Sequence, residues 1–116
     1  MPATLVDLLF EQGAKFERNI QVRNSDGTPK DLTGYSGRMQ IRPTYSSATV
    51  LLDATTANGM VTINSPGGIV TVTVGADVTA LMTFNSAYYD IEVFSSPTNV
   101  IRIAKGSASL SLEVTR

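Results

Sequence analysis

Phe16-Glu-Arg-Asn-Ile-Gln-Val-Arg-Asn-Ser-Asp-Gly-Thr-Pro-Lys-Asp-Leu-Thr-Gly-Tyr-Ser-Gly-Arg-Met-Gln-Ile-Arg42 reads as a strand, a tight turn, a linking loop and a second strand. Phe16, Ile20 and Val22 alternate with polar residues, as side chains do when one face of an extended chain is buried. The run ends at Asp26-Gly27, a dipeptide suited to the positive φ of a tight turn, and Met39 and Ile41 resume the alternation beyond it. An all-β module is expected.

Outward from this segment the pattern repeats. Extended stretches are expected at about Thr4 to Phe10, Lys15 to Arg23, Tyr35 to Arg42, Thr49 to Asp53, Met60 to Asn64, Gly68 to Val74, Ala87 to Phe94, Val100 to Lys105 and Ala108 to Thr115. Turn formers separate most of them, among them Asn24-Ser25-Asp26-Gly27, Ala57-Asn58-Gly59, Ser65-Pro66-Gly67-Gly68 and Ser95-Ser96-Pro97-Thr98-Asn99. Residues 58–74 read as a hairpin with its tip at Pro66-Gly67-Gly68. Period 2 is clearest at the carboxyl end, where Ala108, Leu110, Leu112 and Val114 alternate with Ser107, Ser109, Ser111 and Glu113. Eight or nine short strands punctuated by Gly and Pro predict one antiparallel β-sandwich, immunoglobulin-like in the broad architectural sense. One helical turn is expected near residues 77–82, with Asp77 as its cap and Val78, Leu81 and Met82 at helix spacing, plugging one end of the sandwich.

At 116 residues the chain fits one domain, 1–116, long enough to bury roughly two thirds of the surface its unfolded form exposes. It contains no cysteine, so disulfides and thiolate metal sites are excluded and stability must come from packing. Nine basic and ten acidic residues give a formal net charge of −1, and the basic ones are scattered, which argues against a nucleic-acid groove. No apolar run approaches the roughly 20 residues that cross a bilayer. The opening ten residues lack a basic start and carry Asp7 within their apolar part, unlike a signal peptide. A protein made in the cytoplasm without a membrane segment is expected.

Chemistry is sparse. Without His or Cys, the usual serine, cysteine and zinc constellations lack a base or a soft ligand, and no enzyme activity is expected. Asp90 and Glu92 share one strand face, but an acid pair would need an apolar pocket to raise one carboxyl, and this face reads as wet. Asn24, Asp26 and Asp31 have the oxygens for calcium but not the spacing of a twelve-residue loop, and read as turn residues. No catalytic, metal or cofactor site is expected.

Candidate interface residues are easier to name. Arg38, Arg42 and Arg102 interleave with Met39, Ile41, Ile101 and Ile103, and so face outward, as surface charges or as contacts to a neighbour. If Tyr89, Ile91 and Val93 face the core, Tyr88 and Phe94 share the wet side with Asp90 and Glu92, where aromatics mark a partner surface or a second packed layer. Leu5, Leu8, Leu9 and Phe10 make residues 1–12 too apolar for a free tail. They form either the first strand of this domain or an assembly arm that augments a neighbour's sheet edge.

Several of these segments also occur together in a known order. Gly13-Ala14-Lys15-Phe16, then Asp26-Gly27-Thr28-Pro29-Lys30-Asp31-Leu32-Thr33-Gly34-Tyr35, then Tyr88-Tyr89-Asp90-Ile91-Glu92-Val93, then Arg102 to Gly106 and the ending Val114-Thr115-Arg116 resemble a series in small virion proteins of tailed bacteriophages. Their plan is similar to the amino-terminal domain of the upper-baseplate, fibre-carrying proteins of lactococcal phages. The resemblance spans most of the chain and rests on the order of its motifs more than on any one of them. It implies a non-enzymatic virion structural protein, a tail or baseplate adaptor that attaches receptor-binding fibres. Implied partners are other virion proteins (tail, fibre or capsid subunits) and further copies of itself in the particle, with no nucleic acid, membrane or cofactor. A capsid decoration, or cement, protein would have much the same sequence. A glycan-binding module ranks below both, because such modules present exposed aromatic platforms, most often Trp, and this chain has no Trp, four Tyr and four Phe.

Overall fold

The computed structural model describes residues 3–115; Met1 and Pro2 of the 1–12 segment, expected as first strand or arm, and Arg116 of the closing motif lie outside them. Strands β1 (Thr4–Leu5), β2 (Leu8–Glu11), β3 (Phe16–Gln21), β4 (Ser36–Arg42), β5 (Leu52–Thr55), β6 (Val61–Asn64) and β7 (Ile69–Val74) precede a short helix α1 (Ala76–Thr79). The long strands β8 (Ser86–Ser96) and β9 (Asn99–Ser111) follow it. One sheet has the order β1-β9-β8-β4-β5, with β2 continuing beside β9, and the other the order β3-β7-β6. The fold is an all-β sandwich. Every pairing is antiparallel except that of β1 and β2, which run parallel to β9.

The core lies between the sheets and follows the alternation. Met39 and Ile41 of β4, Ala87, Tyr89, Ile91 and Val93 of β8, and Ala108 and Leu110 of β9 face Ile20 of β3, Val61 of β6 and Val70, Val72 and Val74 of β7. One rim is closed by Phe10 of β2 stacked on Phe16 of β3, ring centres 4.0 Å apart. At the opposite rim Gly37 of β4 faces Val61 so closely that a Cβ would sit 2.8 Å from its Cγ1. Arg18 stands opposite Val72, on the inward side of edge strand β3, and remains exposed. An inward charge on an edge strand discourages addition of a further strand.

The segment that decided the fold has the expected form. Gly27 has φ 88°, and the turn is held by Asn24 N–H donating to Thr28 O (2.8 Å) and by the Asp26 carboxylate accepting from Thr28 N (3.0 Å) and Oγ1 (2.6 Å). Asp31 repeats this device on Thr33, and Leu32 between the two is buried. These bonds to the charged form lower the pKa of both carboxyls, with the threonine hydroxyl the largest cause in each. The linking loop is tied to the β6–β7 hairpin tip: Val22 N–H donates to Gly68 O (2.7 Å) and Leu32 N–H to Ser65 O (3.0 Å).

The strand expected at Thr49 to Asp53 lies at Leu52–Thr55, and the parallel edge of β1 and β2 departs from a wholly antiparallel sandwich; four further details differ from the sequence expectation. The expected strand at Thr4 to Phe10 breaks at Val6-Asp7. In the parallel ladder Val6 N–H donates to Lys105 O (2.9 Å), and the next bond would run from Ser107 N–H to Val6 O. Instead Ser107 N–H donates to Asp7 Oδ1 (3.2 Å), while the Val6 carbonyl turns over Gly106 and accepts from the Tyr89 hydroxyl. Second, the stretches expected as two strands around Gly106 are one strand, β9, with a bulge that turns both Ile103 and Ala104 inward. Gly106 is there because the Val6 carbonyl occupies the place of a Cβ. Third, β9 ends at Ser111, and Leu112 and Val114 are exposed, because its partners end with Ser86 opposite Ser109 and Glu11 opposite Ser111. Fourth, the helix begins at Ala76 with Gly75 as its cap; Asp77 lies in the first turn, where a negative charge suits the helix dipole. Thr79 and Met82 are buried under it while Leu81 faces solvent. Thr79 Oγ1 accepts from Gly13 N–H (3.1 Å) and donates to Ala14 O (2.8 Å), fixing the turn after β2 to the helix.

Candidate functional site

Alternation along β4, β8 and β9 gives the larger sheet a second face, turned away from the core. Seven of the nine candidate interface residues fall on it. Arg38 and Arg42 project from β4, Tyr88 and Phe94 from β8 and Arg102 from β9; Leu5 and Leu9 lie on the same side at the edge, opposite Lys105 and Ser109. Leu8 and Phe10 do not belong with them. Both lie on the opposite face of β2 from Leu9 and are buried in the core between the sheets.

The middle of this face is a cross-strand lattice of opposite charges. Arg38 Nε lies 2.9 Å from Glu92 Oε1, Arg102 Nε 3.3 Å from Asp90 Oδ2, and Arg102 Nη2 3.9 Å from Glu92 Oε2. Partly exposed pairs of this kind contribute about 0–1 kcal/mol each to stability, so their effect is to fix side-chain positions. The Arg38 guanidinium also lies 4.7 Å from the centre of the Phe94 ring, a cation–π geometry. Partial burial raises the pKa of Asp90, and neighbouring Glu92 adds to the effect while Arg102 opposes it.

Two hollows open beside the lattice. One, of about 510 Å³, is bounded by Arg38, Phe94, Pro97 and Val100 at the β8–β9 turn. The other, of about 320 Å³, lies between the 43–50 loop and the β4–β8 pair, with Gln40, Arg42, Tyr45, Tyr88 and Asp90 in its wall. Tyr45 and Tyr88 stack with ring centres 4.8 Å apart and planes at 29°. Arg42 holds the loop in place, donating from Nη1 to Ser47 O (2.8 Å) and from Nη2 to Gln40 Oε1 (2.8 Å).

Sequence reasoning reached Tyr88 through its position on the wet side of a strand and missed Tyr45 and Gln40. Tyr45 follows Pro43 in a loop without periodicity, and only the β4–β8 pairing of Arg42 with Tyr88 brings it near its partner. No helix among the described residues is long and apolar enough to cross a membrane. Neither a protein-family model nor a curated protein matches the chain.

Proposed function

We propose that this chain is a non-enzymatic structural protein of a tailed-phage virion, made in the host cytoplasm and built into the tail or baseplate as an adaptor through which receptor-binding fibres attach. The observation that carries the reading is the ordered motif series from Gly13 to Thr115. In this chain several of its residues set the framework: Gly27 and Asp31 shape the linking loop, Leu32 fills the core beneath it, and Tyr89 and Gly106 receive the first strand. Support for an assembly role comes from the edge formed by β1 and β2, where Leu5 is 75% exposed and Leu9 58%. Exposed leucines on an unpaired edge strand suit a contact with a neighbouring subunit, either another virion protein or a second copy.

Electron cryomicroscopy of the intact particle, at a resolution that traces side chains, tests this directly. Density between the tail body and the fibres, with Leu5 and Leu9 covered, is the expected result. Density on the capsid lattice would make the chain a cement protein, and its absence from the particle would end the virion reading.

A further inference from the structure

We infer that the hollow between the 43–50 loop and β4–β8 is a binding site for a neutral saccharide of one or two rings. The inference is independent of the virion reading and rests on four properties of the hollow. The first is an aromatic ledge. Tyr45 is 64% and Tyr88 41% exposed, a large π surface left in water by a chain whose six other aromatic rings are buried or half-buried. The apolar C–H face of a pyranose ring covers such a surface without desolvating its hydroxyls.

The second property is the set of polar groups beside the ledge: the amide of Gln40, the guanidinium of Arg42 and the carboxylate of Asp90. All three are planar, and together they offer donors and acceptors for adjacent hydroxyl groups. Third, the charges in the wall cancel. Arg38 and Arg42 stand against Asp90 and Glu92, and Arg38 is already paired with Glu92. A phosphate, a sulfated sugar or an acidic peptide would meet the carboxylates of Asp90 and Glu92 in the same wall as Arg42, whereas a polyhydroxylated neutral ligand needs no charge. Fourth, the site is formed before a ligand arrives. The two rings are stacked on each other, Arg42 holds Ser47 O, and Thr49 N–H donates to Ser47 Oγ (3.1 Å), so little ordering remains to oppose binding. A volume of about 320 Å³ is at the small end of ligand sites and matches a mono- or disaccharide.

The test is a titration of the isotope-labelled full chain with maltose, lactose and N,N′-diacetylchitobiose, each to roughly 50 mM, followed by amide chemical shifts. The expected result is a saturable change confined to residues 40–47 and 87–92 for at least one sugar, with a Kd on the order of millimolar. Tyr45→Ala and Tyr88→Ala, each with an unchanged melting curve, should weaken that binding by about tenfold or more, while Phe94→Ala at the neighbouring hollow should not. No saturable shift with any of the three sugars would overturn the proposal. So would full affinity in both tyrosine variants, or tighter binding of the anionic N-acetylneuraminic acid.

Discussion

Replacing Tyr89 by Phe removes one hydroxyl from the core side of β8 and keeps the ring. That hydroxyl donates to the Val6 carbonyl, which has turned out of the parallel ladder while Asp7 Oδ1 takes over Ser107 N–H. Without it a carbonyl packed over Gly106 loses its donor, at a cost of about 1–3 kcal/mol. In a domain of this size the melting temperature should fall by roughly 4–15 °C. Urea unfolding at neutral pH should show a lower midpoint with an unchanged slope, since the surface exposed on unfolding is the same. Tyr88→Phe, on the exposed face, is the control and should stay within about 0.5 kcal/mol of the parent. The exchange of partners makes a sharper demand. In Tyr89→Phe/Asp7→Ala both substitutes are gone, and Ser107 N–H and Val6 O are free to form the ladder bond they had given up. The double variant should therefore lose less stability than its two single variants together, by about 0.5 kcal/mol or more. Strict additivity, or an unchanged midpoint in Tyr89→Phe, would refute this account of the strand break.

Burial pushes the Tyr89 hydroxyl up to about 12 from its ordinary 10.0, with nearby Arg18 opposing the shift and Asp7 adding to it. The folded state thus favours the protonated phenol: the contribution is complete below pH 10 and declines from about 10 to 12, and Tyr89→Phe should flatten stability measured across that window. Gly27→Val should cost about 1 kcal/mol or more in a thermal melt; a Cβ there meets open space, so the loss comes from φ 88° alone, and Gly27→Asn should recover much of it. Gly68→Ala should cost more than a φ of 65° explains, because its Cβ would lie 2.6 Å from Lys30 O and 2.7 Å from Val22 O; a milder effect than that of Gly27→Val would contradict this packing. Phe10→Ala should destabilise by about 3–5 kcal/mol, and deletion of residues 1–12 should yield an unfolded product by circular dichroism, since Leu8 and Phe10 belong to the core.

The sequence made some features legible because they depend on neighbours along the chain. Ala87, Tyr89, Ile91 and Val93 alternate with polar residues, and β8 buries that set; Asp26-Gly27 states its turn by residue type. Other features depend on residues far away. Leu112 and Val114 continue the alternation of β9, yet alternation tells which side a residue faces and not whether a strand lies alongside, and here both partners have ended. Gly106 resembles a strand breaker until residue 6 is seen to press on it. Asp77 is a better cap by type than Gly75, but the chain arrives extended at Gly75 and the helix starts there. The outward face was half readable: Arg38, Arg42, Arg102, Tyr88 and Phe94 follow from period 2, whereas Tyr45 reaches Tyr88 only through a loop held by Arg42.

The register of the parallel edge has a consequence for how the chain is made. Thr4 pairs with Ala104 and Leu8 with Ala108, a separation of 100 residues at each position. During synthesis Leu5 to Phe10 leave the ribosome about 100 residues ahead of β9 and must wait for it, on the order of 5–20 s at usual elongation rates. Over that interval an apolar segment is present whose intramolecular partner does not yet exist. Docking it is the longest loop closure among the strand pairings of the described residues, which places it late in folding and leaves the nascent chain open to exchange with a neighbour until β9 has emerged.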